Sequence, residues 1–201
     1  MRTLGGVKEY YDTRAPEYDD WYLGAGLFTE RDRPGWEVEL ENLVEAVASL
    51  PPRRTLDVAC GTGFLTRHLH GEVVGIDQSA RMLERAARQA PGAELVQGDA
   101  LRLSFPDASF ERVFTGHFYG HLEDEDRRRF LAEAKRVAPE LVVVDAARQH
   151  ARFDAEWQPR VLNDGSRWQV YKRYFDPDQL AAELGGGEVV HSGHWFVMVR
   201  A

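Results

Sequence analysis

Three carboxylates and a pair of glycines stand at spacings that could hold a charged nucleoside. The run Asp57-Val58-Ala59-Cys60-Gly61-Thr62-Gly63 sets an acid four residues ahead of a Gly-x-Gly turn. Glycine lets a backbone approach a ligand closely because it has no Cβ. A bare Gly-x-Gly is also what a tight strand-to-helix turn without a ligand looks like, so its surroundings decide. Dinucleotide folds carry a third glycine for close helix packing; here Thr66 stands in its place. A carboxylate such as Asp57 repels a diphosphate but attracts a cofactor bearing ammonium and sulfonium charges. Asp77 lies fourteen residues past Gly63, where a carboxylate could accept from both hydroxyls of a ribose. Asp99, in Gly98-Asp99-Ala100, could accept from an adenine amino group.

A second cluster is Gly116-His117-Phe118-Tyr119-Gly120-His121. Histidine titrates near neutral pH, so His117 is either a base or a polar wall of the pocket. The single thiol, Cys60, sits in the glycine turn, and neither H-E-x-x-H nor a paired C-x-x-C occurs. No metal site is expected.

The elements that must position these residues follow from apolar patterning. Thr55 to Ala59, Glu72 to Ile76, Ala93 to Gln97, Phe110 to Thr115 and Leu141 to Asp145 have the length and content of buried strands. Phe64 to Leu69 is expected to continue as helix. A helix follows Ser79 as its N-cap, and another spans Glu123 to Val137. Val7 to Leu23 and Trp36 to Leu50 read as helical, the latter with Val38, Leu43, Val44, Val47 and Leu50 on one face. Pro177 to Leu184 reads as a short helix, then Glu188 to His191 and Trp195 to Arg200 as antiparallel strands. Strand and helix alternate at short intervals, which predicts an α/β fold with a mostly parallel sheet.

Composition sets limits. A chain of 201 residues suits one α/β domain. Net charge is −8 and the longest basic run is Arg127-Arg128-Arg129, so a nucleic-acid partner is not expected. Met1 to Tyr10 contains no apolar stretch, so neither a leader nor a membrane span is expected. One cysteine fits a cytoplasmic location.

The series D-V-A-C-G-T-G, G-I-D-Q-S, Q-G-D-A and F-E-R-V resembles a class I S-adenosylmethionine-dependent methyltransferase of small-molecule type. The resemblance implies a three-layer sandwich. Its seven-stranded sheet would have order 3-2-1-4-5-7-6, last strand antiparallel, helices on both faces and an N-terminal helical cap. The single domain would divide into a cap (1–50), a cofactor core (54–145), a substrate-facing insertion (146–175) and a terminal helix with two strands (176–201). Gly61, with Ala59 beside it, would back the methionine part of S-adenosylmethionine, and Asp57 would help hold its ammonium group. Asp77 would bind the ribose, Gln78 and Met82 would flank adenine, and Asp99 with the backbone of Ala100 would meet its edge. Thr115 to His117 would close the site. Y-Y-D-T-R-A-P-E-Y-D resembles the family's N-terminal helix, so Tyr11 and Tyr18, seven residues apart, either cover the cofactor or pack on the core.

Methyl transfer from a sulfonium needs alignment, and a base only where the acceptor must lose a proton. The acceptor is expected to be a small metabolite, with Tyr119, Arg160, Trp168, Tyr171 and Arg173 as candidate contacts. Trp168 to Phe175 alternates enough for an extra strand or ribbon. A nicotinamide oxidoreductase and a non-catalytic S-adenosylmethionine-binding protein are the competing expectations. The chain is expected to act as a monomer or homodimer.

Overall fold

The structure, a computed structural model, describes residues 4–201; residues 1–3 of the expected cap lie outside the described residues. The cap comprises α1 (Leu4–Arg14), a 3₁₀ turn (Ala15–Glu17), α2 (Asp20–Leu23) and α3 (Trp36–Ala48). The core runs β1 (Thr55–Val58), β2 (Val73–Asp77), α4 (Ala80–Gln89), β3 (Glu94–Gln97), β4 (Arg112–Gly116), α5 (Asp124–Val137) and β5 (Glu140–Ala146). A hairpin follows, β6 (Ala155–Val161) and β7 (Arg167–Arg173), then α6 (Pro177–Leu184), β8 (Glu188–Ser192) and β9 (Phe196–Arg200).

The main sheet has order β3-β2-β1-β4-β5-β9-β8. β1 to β5 pair in parallel, and β9 runs antiparallel to both β5 and β8. This is the expected order once the β6–β7 ribbon, a separate two-stranded sheet, is set aside. Val142, Val143 and Val144 are wholly buried, as a strand covered on both faces requires. One face packs under α5 and α6 through Phe130, Val137 and Leu180. The other packs under α3 through Trp36, Leu43 and Val47.

Some local expectations fail for identifiable reasons. Val38 is exposed, and Trp36 occupies the buried stripe instead. Trp36 lies seven residues from Leu43, close to two full turns, whereas a five-residue offset turns Val38 away. Phe64 to Leu69 does not form an α-helix; only Thr66–His68 makes a 3₁₀ turn before the chain enters β2. Val7 to Leu23 is broken at Ala15–Glu17, where Pro16 supplies no backbone donor. Ser79 caps α4 as expected, its hydroxyl accepting from the Met82 N–H at 3.1 Å.

Candidate active site

Parallel strands present their carboxyl ends on one edge, and the site forms there, where α/β sheets bind ligands. β1 leads to Ala59 and β4 leads to His117. Both residues hold left-handed backbone, φ 57° each. Side chains rarely adopt this region, and such strain concentrates where a site demands it. Gly61 (φ 56°) continues the β1 turn, and Gly63 (φ 81°) lets the loop press on α4, since a Cβ there would lie 3.1 Å from the Ala86 backbone.

Asp77 closes β2 and organises the turn. Its carboxylate accepts from the Gly61 N–H at 3.0 Å and from the Ser79 N–H at 2.8 Å. Each oxygen keeps a further lone pair for a ligand hydroxyl. A cavity of about 140 Å³ opens beside it, lined by Ala59, Gly61, Gln78, Met82, Asp99 and Ala100. Tyr11, Tyr18, His117 and His121 also line it. Although the helix breaks between the two tyrosines, their rings lie 6.5 Å apart on the same cavity. Burial raises both phenol pKa values, so both remain neutral.

Two expected cofactor residues stand elsewhere. Thr115 is wholly buried and donates its hydroxyl to the Val58 carbonyl at 2.8 Å, a tie between β4 and β1. Asp57 lines a separate void of about 20 Å³ that shares Tyr18, Ala59 and Gly116 with the main cavity. It accepts from the Thr66 hydroxyl at 2.6 Å. Burial lifts the Asp57 carboxyl to about 7 and that of Asp77 to about 6. Asp99 accepts from the Leu101 N–H at 2.9 Å and so shapes its own turn.

A second cavity, about 420 Å³, shares Tyr11, Tyr18, His117 and His121 with the first. Its other walls come mainly from the cap and from the β6–β7 ribbon, with Ala146, Tyr174 and Trp195. Burial brings the pKa of both histidines down to about 3, so both rings are neutral at physiological pH. The His121 Nδ1–H donates to the Tyr171 carbonyl at 2.6 Å. Neither ring nitrogen of His117 has a partner among the described residues. The His117 ring stands edge-on to Trp21 (4.8 Å) and Phe196 (5.6 Å). A buried ring of such low basicity is a poor proton acceptor near neutral pH, which favours a wall over a base.

The candidate substrate contacts separate into three groups. Arg160 lines the second cavity. Trp168 and Tyr171 line a neighbouring groove of about 760 Å³, where Trp168 meets Tyr10 at 5.6 Å. Tyr119 and Arg173 reach neither: Tyr119 is wholly buried and donates to Glu183 at 2.7 Å, and Arg173 pairs with Glu183 at 2.8 Å. Their polar groups serve α6, which holds that end of the sheet.

Several lining residues were not anticipated: Arg14, Trp21, Arg31, Arg33 and Trp36 from the cap, and Gln158 and Lys172 from the ribbon. Lys172 forms a buried ion pair with Asp145, the acid near the carboxyl end of β5. Burial alone would raise the Asp145 carboxyl, but the Lys172 ammonium brings it below its ordinary value. An acid near the end of an otherwise apolar strand was the available signal for this pair. The cap arginines carried none, because arginine is common throughout the chain.

Residues 55–140 match a methyltransferase domain model. The demethylmenaquinone methyltransferase of Thermotoga maritima is 37% identical over 68% of this chain and 58% of its own length. That of Deinococcus radiodurans is 39% identical over 65% and 55%. The chain thus spans a little over half the length of these relatives. Solved structures match along nearly all of both chains. The DhpI-SAM-HEP complex superposes with a TM-score of 0.71 at 26% identity, covering 100% of this chain and 99% of that one. For the DhpI-SAH complex the values are 0.69, 28%, 98% and 97%. With its strand order and strand-end cavity, the chain belongs to the class I S-adenosylmethionine-dependent methyltransferase family.

Proposed function

We propose that the chain transfers the methyl group of S-adenosylmethionine to a small-molecule acceptor, chiefly by positioning. The observation that carries this is the shared wall between two cavities. One is built from strand-end turns and suits a nucleoside; the other is built from side chains and suits an acceptor. Tyr11, Tyr18 and His117 stand between them.

The residues of the first cavity fit S-adenosylmethionine. Asp77 has lone pairs left for ribose hydroxyls. Met82, Ile76 and Leu101 give a slot for adenine, with Asp99 and Ala100 at its edge. Asp57, behind Ala59, supplies negative charge toward the ammonium end. When bound, the cofactor supplies a methyl group on a sulfonium that is already a good leaving group. Holding acceptor and methyl in line is worth up to roughly 7–11 kcal/mol in favourable cases. His117 shapes the wall and, being neutral, adds no charge beside the sulfonium.

No helix among the described residues is long and apolar enough to cross a membrane. With a single thiol, the protein suits the cytoplasm, as a monomer or homodimer. Calorimetric titration with S-adenosylhomocysteine and with NADH tests the reading. S-adenosylhomocysteine should bind and NADH should not; binding of NADH alone would sink it. Mass spectrometry of a metabolite mixture incubated with S-adenosylmethionine then reads methyl transfer directly.

A further inference from the structure

The second cavity differs in charge from the molecule around it. The chain carries a net −8, yet this cavity gathers Arg14, Arg31, Arg33, Arg160 and Lys172 around one space. Asp32 is the carboxylate that lines it with them. Lys172 is neutralised from behind by Asp145. Among the described residues, no carboxylate forms an ion pair with any of the four arginines. Arg14 spends one donor on the Tyr10 hydroxyl and lies over the Tyr18 ring at 4.9 Å. Arg33 donates to the Trp21 carbonyl at 2.7 Å and lies over the Trp36 ring at 4.0 Å. Arg160 donates to the Gln158 side chain, while its buried Nε has no partner.

Guanidinium groups crowded together without counter-ions raise one another's energy, and burial sharpens the effect. The ribbon and the cap come from distant parts of the chain, so this crowding is a product of the fold. Each guanidinium offers several donors in a fixed fork that matches a carboxylate or phosphoryl group. The neutral His117 and His121 rings add no competing charge on the side facing the cofactor cavity.

We propose that this cavity binds the methyl acceptor through an anionic oxygen-bearing group, a carboxylate or a phosphoryl group, held by Arg160 with Arg14 and Arg31. The proposal rests on the methyltransferase reading for the word acceptor; the anion site itself does not. Electrostatic support agrees with the geometry: burial and then the nearby Arg14 lower the Arg160 pKa, a load that a bound anion relieves.

The test titrates inorganic phosphate and, separately, succinate into the protein with and without saturating S-adenosylhomocysteine. At least one anion should bind, and the stronger of the two identifies the head group. Arg160→Gln should weaken that binding at least about tenfold, the loss expected of a charge-assisted fork. Arg31→Gln, at an exposed position, should weaken it by a smaller factor and guards against misfolding of the first variant. Affinity for S-adenosylhomocysteine should change less than about twofold in both. Absence of binding by either anion, or binding that neither substitution weakens, overturns the proposal. Failure of S-adenosylhomocysteine to bind the unmodified protein overturns the methyltransferase reading instead, and leaves the anion titration to decide the site.

Discussion

The two cavities that meet at His117 are built in opposite ways. The first is made by backbone: turns at the ends of β1, β2 and β3, with Ala59 and Gly61 in left-handed conformation and Asp77 bonded to two amides. Burial lifts the carboxyl of Asp77 there to about 6, and that of Asp57 in the adjoining void to about 7. The second is made by side chains from the cap and the ribbon, and its charge is positive. A backbone-built site ties its ligand to the fold itself, whereas a side-chain-built site can change its ligand with few substitutions. The contrast accounts for one fold serving one cofactor and many acceptors.

The contrast can be broken first at the buried pair beneath the basic cavity. Lys172→Met leaves Asp145 charged and buried, and should cost about 3–5 kcal/mol in urea unfolding. Adding Asp145→Asn should recover much of that loss; equal stability of the single variant and the unmodified protein would show that the pair does not hold the ribbon. On the other side, Asp77→Ala should lower affinity for S-adenosylhomocysteine roughly 10–150-fold, or about 1.5–3 kcal/mol. Phosphate binding in the second cavity should survive it. Unchanged calorimetric affinity would count against the ribose role.

A smaller effect sharpens the comparison through pH. Unfolded, Asp57 and Asp77 ionise near pH 4. Folded, they keep protons to about pH 7 and 6, so they contribute less stability to the unliganded protein as pH climbs from 4 to 7. A ligand with an ammonium group prefers the ionised carboxylates. Affinity for S-adenosylhomocysteine should therefore rise between pH 5 and 8, by about tenfold or less. Asp57→Asn should flatten the upper part of that rise. A flat profile in the unmodified protein would remove Asp57 from the ammonium end.

These two modes of construction also set what was legible beforehand. The spacing of Asp57, Gly61, Asp77 and Asp99 reports on strand ends, because strand-end turns are local. Patterning alone reached a mostly parallel sheet; its order came from the family resemblance that these residues carry, and the structure brings Gly61, Asp77 and Asp99 to the first cavity. Thr115 misled because a strand's last side chains alternate between faces, and its hydroxyl turned to Val58. Tyr119 and Arg173 misled because aromatic and basic residues near a site serve packing as readily as binding; here both meet Glu183. The second cavity was largely hidden, since Arg14, Arg31, Arg160 and Lys172 converge only through tertiary docking. Arg160 alone was anticipated among them.

The first part of the cap, up to α2, is held by polar ties as well as by packing. Asp12 accepts from the Ser79 hydroxyl at 2.6 Å, while Asp19 accepts from the Thr62 hydroxyl at 2.6 Å and the Gln89 amide at 2.5 Å. These ties land on the cofactor turn at Thr62, on Ser79 at the start of α4 and on Gln89 at its end. Whereas α3 is built into the core through Leu43 and Val47, α1 is held in part by the Asp12 tie, so its opening should cost less than unfolding the sheet. Amide exchange in α1 and α2 should run faster than in β4 and β5, and slow when S-adenosylhomocysteine is bound. Slowing of that exchange on binding would make α1 and α2 the part of the fold that parts and re-forms around a passing ligand.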